Sequence, residues 1–268
     1  MYAFEYHRPT SVREAAALAG KAEDIKFLAG GHTLLPTMKM RLAAPANLVD
    51  LGQIAELRGI ERSGDAITIG AMTKHAEVAN STEVREAIPA LAEMAELIGD
   101  PHVRHRGTIG GSIANNDPSA DYPAACLALG ATIVTNKRKI AADSFFQGIF
   151  TTALEEGEII TSVSFQVPSQ AAYAKFRNPA SRYALVGVFV AKHASGSRVA
   201  VTGAGSNGVF RVPEMEQALG QRFAAEALDG ITVPPDDMNS DIHADAAYRA
   251  HLVGVMARRA VQAATSRT

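Results

Sequence analysis

The segment IKFLAGGHTLLP, residues 25–36, determines the local architecture of the N-terminal part of the chain. Its apolar start, Ile25–Ala29, predicts a short strand that runs directly into Gly30-Gly31. Leu34–Leu42 then has the apolar periodicity of a helix, and Asn47–Leu51 predicts a second strand after it. The first ~50 residues are therefore expected to form a strand–loop–helix–strand unit, which is typical of a small sheet with parallel pairing.

A second diglycine segment, TIGGS at residues 108–112, repeats the arrangement of two glycines beside hydroxyl residues. Glycine has no Cβ, so its backbone can approach a bulky anion closely. Successive amides can then bind phosphate oxygens, and the hydroxyls of Thr33, Thr108 and Ser112 can add donors. Two such loops fit the two phosphates of a pyrophosphate, although on the pattern alone each glycine pair also fits a simple tight turn.

A third glycine cluster, GAGSNG at residues 203–208, matches the GxGxxG pattern of dinucleotide-binding sites. That fingerprint requires a helix that opens on its last glycine and an acidic residue that ends the next strand. Here Val209–Pro213 follows instead of a helix, and Asp229 comes after a helical stretch. The cluster therefore favours a glycine-rich connection at a strand end over an NAD site.

The single cysteine, Cys126, restricts the chemistry that the chain can carry. One thiol cannot form an intrachain disulfide, an iron–sulfur cluster or a cysteine-rich zinc site. Cys126 lies on the apolar face of a predicted short helix, where a buried structural thiol is expected. The eight histidines are scattered, so no metal site is predicted, and the sequence has no GxSxG nucleophile motif. Any redox chemistry of this chain must therefore use an organic carrier.

The overall composition is that of a globular protein, with 47% hydrophobic and 20% charged residues. A net charge of −2 gives no indication of binding to nucleic acid or to an anionic membrane. The longest apolar stretches, such as Tyr183–Ala191, are too short to span a bilayer. Met1–Pro9 has no basic-then-apolar signal segment, so a cytoplasmic location is expected.

The rest of the chain predicts helices and strands around one long turn-rich segment, Gly99–Asp121. The predicted helices are Ser11–Lys21, Val84–Leu97, Pro123–Leu129, Glu214–Leu219, Ala224–Leu228 and Ala246–Ala264. The predicted strands are Ala66–Met72, Ala131–Thr135, Ile159–Val167, Ala184–Lys192 and Arg198–Thr202. A domain boundary is predicted near Asn178-Pro179.

The two diglycine segments also resemble those of a known protein family. Residues 27–36, FLAGGHTLLP, and 98–112, IGDPHVRHRGTIGGS, are similar to the two FAD-binding segments of the carbon monoxide dehydrogenase medium subunit. The similarity continues at Asp117-Pro118, Asp121, residues 173–176 (YAKF), residues 240–243 (SDIH) and residues 248–252 (YRAHL). The resemblance covers nearly the whole chain. It indicates the FAD-binding medium subunits of molybdenum hydroxylases, of the carbon monoxide dehydrogenase and xanthine dehydrogenase type.

This resemblance implies an α+β fold with two domains. A two-lobed FAD-binding domain of the PCMH type is expected at residues 1–177, with lobes at about 1–55 and 56–177. Residues 178–268 are expected to form a C-terminal domain of the carbon monoxide dehydrogenase flavoprotein type, which combines an antiparallel sheet with helices.

The resemblance also implies which residues hold a non-covalent FAD. The two loops would bind its pyrophosphate, mainly through backbone amides, with residues Ala29, Gly30, Gly31, His32, Thr33, Thr108, Ile109, Gly110, Gly111 and Ser112. Leu28, Leu34 and Ile160 would provide apolar contacts. Asp121 and Lys175 would lie near the flavin ring, and Tyr173 would pack over the isoalloxazine. No catalytic side chain and no metal ligand are implied, because the flavin itself carries the chemistry.

The function implied is that of an oxidoreductase subunit, which passes electrons from the iron–sulfur clusters of a partner through FAD to an external acceptor. The implied partners are a large molybdenum-binding subunit and a small [2Fe–2S] subunit, in a dimer of heterotrimers. Two alternatives stay open: a free-standing FAD-dependent oxidoreductase and a flavin-binding scaffold without turnover. The sequence departs from the family at Ser112, where relatives usually carry Asn, and at Arg182, where they often carry Asp.

Overall fold

The N-terminal part of the chain forms a small parallel sheet with two helices. The structure is a computed structural model that describes residues 1–21 and 23–266. The elements of this part are β1 (Glu5–His7), α1 (Val12–Ala19), β2 (Ile25–Leu28), α2 (Leu34–Lys39) and β3 (Asn47–Asp50). The strand order is β1-β3-β2, and both pairings are parallel. The strand–loop–helix–strand prediction is therefore confirmed, and β2 delivers the first diglycine loop at its carboxyl end.

The middle part of the chain builds a five-stranded antiparallel sheet covered by helices. Its elements are β4 (Ile60–Ser63), β5 (Ala66–Gly70), α3 (His75–Asn80), α4 (Thr82–Ala87), α5 (Pro89–Glu96), α6 (Pro101–Arg104), α7 (Ile109–Asn115), α8 (Tyr122–Ala128), β6 (Thr132–Thr135), β7 (Lys139–Ala141), α9 (Ala142–Phe145), β8 (Phe146–Gly148), β9 (Thr151–Thr152) and β10 (Ile160–Gln166). The strand order of the sheet is β4-β5-β10-β6-β7, and β8 and β9 form a separate hairpin.

The C-terminal part forms a four-stranded antiparallel sheet with a long helix packed on it. Its elements are β11 (Gln170–Arg177), β12 (Ala184–His193), β13 (Gly196–Thr202), β14 (Phe210–Arg211), α10 (Pro213–Gln221) and α11 (Ala246–Thr265). Asp245 caps α11, because its carboxylate accepts a hydrogen bond from the Tyr248 amide. The predicted α+β architecture, with an antiparallel sheet and helices in the C-terminal part, agrees with these elements.

Strand β12 is buried on both of its faces. Val186, Val188 and Val190 belong to the core under α11, whereas Phe189 and Ala191 belong to the core of the middle part. Successive side chains of a strand point to opposite faces, so this alternation places the C-terminal sheet between two apolar cores.

The predicted domain boundary near Asn178-Pro179 falls between two paired strands. Strand β11 ends at Arg177 and pairs along its length with β12. A division at 177/178 would therefore separate two neighbouring strands of one sheet. Strand β11 was not predicted, because its residues, QAAYAKFR, have no clear apolar alternation.

Two other predictions were wrong in detail. The predicted helix Val84–Leu97 is interrupted at Ile88, because Pro89 cannot continue the preceding helix and instead begins α5. The segment Gly99–Asp121 contains the short helices α6 and α7 instead of turns alone. Asp100 and Thr108 cap these helices by accepting bonds from the Val103 and Gly111 amides. In the part of the chain that the structure describes, no helix is long and apolar enough to cross a membrane.

Candidate functional site

The two diglycine loops line one cleft with a volume of about 840 Å³, within the size range of small-molecule sites. The cleft is lined by most of the predicted cofactor residues, namely Ala29, Gly30, Gly31, His32, Thr33, Leu34, Thr108, Gly110, Gly111, Ser112, Asp121, Ile160 and Lys175. Leu28, Ile109 and Tyr173 are not among the lining residues. The fold therefore brings together residues that are distant in sequence: the loop after β2, helix α7, the residue before α8, and strands β10 and β11.

The glycines allow the two loops to touch each other. A Cβ on Gly30 would lie 2.4 Å from the Arg106 carbonyl oxygen and 2.7 Å from Gly107 Cα, which is too close for any side chain. A Cβ on Gly111 would lie 3.1 Å from Ala29 Cβ. Gly30 is thus required by the packing of one loop on the other, a constraint that the sequence pattern did not reveal.

The amides of the second loop are mostly used within the protein. Ile109 N donates to Thr73 O at 3.1 Å and Gly110 N to Ala71 O at 2.8 Å, while Gly111 N donates to Thr108 Oγ1 at 3.2 Å. A Cβ on Gly110 would lie 2.7 Å from Ala71 O, so this glycine also serves packing. Ser112 N also donates to Thr108 O at 3.0 Å, so the amides of residues 109–112 already have acceptors within the protein.

The first loop keeps its amides available. Among the described residues, the N–H groups of Gly31, His32 and Thr33 have no protein acceptor. Thr33 precedes α2, but its side chain forms no cap bond to the helix. Gly31 has φ +77°, a conformation that favours glycine. Free amides beside the start of a helix form an arrangement that accepts an anion.

A buried ion pair lies at the cleft beyond the loops. Lys175 Nζ is 2.9 Å from Asp121 Oδ2, and the two side chains are 2% and 4% exposed. Tyr173 donates its hydroxyl to the other oxygen of Asp121 at 2.5 Å. Burial raises the pKa of Asp121, and the Lys175 charge and the Tyr173 hydrogen bond oppose that rise. These three predicted residues therefore meet in one network.

Tyr183 lines the cleft, whereas Tyr173, the tyrosine that the resemblance placed over the isoalloxazine, is not among the lining residues. The Tyr173 ring packs against Phe189, with centroids 5.9 Å apart, and its hydroxyl lies over Gly187. Tyr183 lines the cleft and is 52% exposed. Burial of its hydroxyl, together with Asp117 and Asp121, raises the pKa of Tyr183.

The loop that presents Tyr183 is held by Asn178. The Asn178 side-chain oxygen accepts bonds from the backbone amides of Ala180 and Ser181. The backbone N–H of Asn178 donates to Tyr183 O at 2.8 Å. Arg182 has φ +63° and also lines the cleft. Its guanidinium lies 3.4 Å from Gly99 O, so this loop reaches the segment before α6. In the sequence, the only indication that Tyr183 could line a site is that it follows a polar turn, residues 178–182.

A second aromatic side chain missed by the sequence reasoning is Phe150. It lies between β8 and β9, has φ +53°, is 59% exposed and lines the cleft. The hairpin is fixed by the buried side chain of Asn116, whose Nδ2 donates to Gly148 O at 2.7 Å and to Thr151 O at 2.9 Å. The cleft thus has aromatic groups from two separate loops.

His75, at the start of α3, is a buried polar residue of the cleft. It is 5% exposed, and its Nδ1 atom has no hydrogen-bond partner. Burial is the largest cause that lowers the pKa of His75 to about 3, and the nearby His32 and Arg104 contribute less. The imidazole is therefore neutral at pH 7 in the protein without ligand.

Comparisons with known proteins agree with this geometry. A family described as "FAD binding domain in molybdopterin dehydrogenase" matches residues 2–169. The chain is 40% identical over 282 residues to the carbon monoxide dehydrogenase medium chain of Hydrogenophaga pseudoflava, with 98% of each chain covered. It is 36% identical over 281 residues to the nicotine 6-hydroxylase medium subunit of Paenarthrobacter nicotinovorans, with 99% of each chain covered. The solved structure of reconstituted CO dehydrogenase from Oligotropha carboxidovorans has a TM-score of 0.90 at 36% identity, over 100% of this chain and 99% of the other.

Proposed function

The chain belongs to the FAD-binding medium-subunit family of molybdenum hydroxylases, and we propose that its cleft holds FAD between the two diglycine loops and the Asp121–Lys175 pair. The observation that supports this placement is the meeting of both loops on one cleft. The chain is an oxidoreductase subunit that binds FAD, which, when bound, supplies an electron carrier able to exchange one or two electrons.

The first loop fits the pyrophosphate. The amides of Gly31, His32 and Thr33 are free and lie next to the start of α2, where the partial positive charge of the helix favours an anion. From the second loop the contribution is different. Thr108 Oγ1 accepts from the Gly111 amide, so its hydroxyl hydrogen can still be donated to a phosphate oxygen. Ser112 adds a second hydroxyl.

The other end of the cleft fits the isoalloxazine. Ile160 offers an apolar surface, and Tyr183 and Phe150 offer aromatic faces at the cleft. Lys175 is held in place by Asp121, so its position does not depend on a ligand. This residue set orients a ring and excludes water from it, without providing a nucleophile or a general base. The role proposed for Tyr173 becomes that of positioning Asp121 through its hydroxyl.

We further propose the partners and the location. Relatives are named medium chains or medium subunits, and this chain has one cysteine, so iron–sulfur clusters would have to be on other subunits. A large molybdenum-binding subunit and a small [2Fe–2S] subunit, assembled as a dimer of heterotrimers in the cytoplasm, fit this arrangement. Within the chain, the sheet pairing favours a division between a flavin-binding part at residues 1–169 and a C-terminal part at 170–268.

The proposal is tested by copurification. The chain is expressed with its neighbouring genes and isolated through a tag, and the product is analysed for polypeptides, flavin, iron and molybdenum. We expect FAD, iron and molybdenum in constant ratio with two additional polypeptides. Flavin with this chain alone would support a free-standing flavin enzyme or a flavin-binding scaffold. A tight complex that never contains flavin would contradict the proposed site.

A further inference from the structure

His75 lies where the two diglycine loops meet. Its amide donates to Gly107 O at 3.0 Å, and a Cβ on Gly107 would lie 2.5 Å from His75 Nε2. Only glycine at position 107 therefore leaves room for the imidazole. Gly107 in turn contacts Gly30, since a Cβ on Gly30 would lie 2.7 Å from Gly107 Cα. The ring is thus part of the wall at the phosphate-binding end of the cleft, which it lines directly.

The hydrogen-bonding capacity of this region is not used within the chain. His75 Nδ1 and the hydroxyl of Tyr122 are both buried, and neither has a partner among the described residues. The two rings are neighbours, with centroids 5.3 Å apart. Buried polar atoms in folded proteins almost always have a partner, so the unpaired imidazole of His75, which lines the cleft, points to a ligand that supplies one.

The charges around His75 favour an anionic ligand. Burial lowers the pKa of His75 most, and His32, on the first loop, and Arg104, at the end of α6, lower it further, so both lie near enough to act on the ring. Tyr122 packs on it from α8. On its own helix, Glu77 is bonded to the Lys74 amide at 2.7 Å. A neutral imidazole beside Arg104 can donate a hydrogen bond to an anion, and the guanidinium charge favours that anion.

We propose that His75 binds the FAD pyrophosphate by donating an imidazole N–H to a phosphate oxygen. This inference rests on the proposed function, because it places the same pyrophosphate between the same loops. It adds a side chain to a site that otherwise depends on backbone amides and hydroxyls. A hydrogen bond from a ring beneath Gly107 would connect the ligand to both loops at once.

The test compares ligands with and without phosphate. His75→Leu and His75→Gln are prepared in the full chain, together with the subunits that copurify with it, and the flavin is removed. Each preparation is titrated with FAD and with riboflavin, which lacks the pyrophosphate, by flavin fluorescence. Loss of one hydrogen bond to a charged group is expected to weaken FAD binding about tenfold or more in His75→Leu. Riboflavin binding should change by less than about twofold, and His75→Gln, which keeps a donor, should lie between.

The control is His105→Leu, because His105 is exposed, lies outside the cleft lining and bonds only locally, to Pro101 O at the start of α6. Unchanged FAD affinity in His75→Leu would overturn the inference, and so would equal losses for FAD and riboflavin, which would indicate a packing role. If the parent protein binds no FAD, the proposed function fails, and this inference fails with it.

A measurement on the unmodified chain keeps the inference testable if the variants do not fold. The imidazole ¹⁵N signals of His75, assigned through the proximity of its ring protons to those of Tyr122, are recorded before and after FAD is added. We expect at least one ring nitrogen to move to the shift of a hydrogen-bonded N–H, with a smaller change on adding riboflavin. No change on FAD saturation would refute the contact.

Discussion

Removing the positive charge of Lys175 is expected to destabilise the folded chain strongly. Lys175→Met keeps most of the apolar length of the side chain but leaves Asp121 without its cation. Both side chains are almost fully buried, at 2% and 4% exposure, and their atoms are 2.9 Å apart. Breaking a buried ion pair on one side costs about 3–5 kcal/mol, because the remaining charge is desolvated and uncompensated. The Tyr173 hydroxyl still bonds to Asp121, which favours the lower end of this range.

The double variant Asp121→Asn/Lys175→Met separates the charge from the packing. It leaves no buried ion, and Asn can still bond to the Tyr173 hydroxyl. We therefore expect it to be more stable than Lys175→Met alone, with a coupling free energy of about 2 kcal/mol or more between the two positions. Lys139→Met is the matched control, because Lys139 is an exposed strand residue and its replacement should change stability by less than about 0.5 kcal/mol.

The assay is thermal and urea unfolding of the flavin-free protein, followed by circular dichroism. For a chain of this length, a loss of 3–5 kcal/mol corresponds to a fall in Tm of roughly 6–20 °C. A Lys175→Met protein that unfolds within 2 °C of the parent would refute the reasoning, as would a double variant whose loss equals the sum of the single losses. Either result would mean that the pair is solvated and not buried in solution.

Three further predictions concern other parts of the molecule. Arg138 lowers the pKa of Glu158 to about 2, below its unfolded value of 4.5, so this carboxylate stabilises the fold above pH 4.5 and its contribution is lost as pH falls from about 4.5 to 2. Glu158→Gln should therefore reduce the pH dependence of the free energy of unfolding by about 1–3 kcal/mol across that window. An unchanged dependence of Tm on pH would contradict this prediction. Gly30→Ala should lower Tm and abolish FAD retention, measured by absorbance, because its Cβ would lie 2.4 Å from a backbone oxygen; Gly220→Ala, with open space around it, is the control and should unfold like the parent. Tyr183→Ala should make bound flavin more accessible to iodide in fluorescence quenching, and equal quenching would show that this ring does not cover the flavin.

The sequence was sufficient for elements whose residues carry a clear local signal. The first strand–glycine–helix unit and strands such as β12 have continuous apolar runs or periodicity, and the structure has them nearly at the predicted bounds. The resemblance to a known family placed both loops at one site. Helices α6 and α7 were missed because they are short and depend on capping by Asp100 and Thr108 within a segment rich in glycine and polar residues.

The parts of the site that sequence could not supply depend on tertiary contacts. A glycine required by a distant backbone, as Gly30 is by Arg106, has the same local pattern as a glycine in a simple turn. Whether an amide such as Gly110 N is free depends on Ala71, which lies in another segment. The family resemblance named only Tyr173 for the ring contact, and the structure places Tyr173 against Phe189 and Tyr183 at the cleft.

The position of β12 between two apolar cores has a consequence for how the chain behaves as a whole. The strand supplies Val188 to one core and Phe189 to the other, so neither core is complete without it. Protease cleavage in the segment before β11 should therefore yield no independently folded N-terminal fragment, because the N-terminal core would lose the side chains that β12 contributes to it. We therefore expect the two parts of the sequence to unfold as a single cooperative unit. The C-terminal sheet supports the core beside the cleft and so limits local unfolding there.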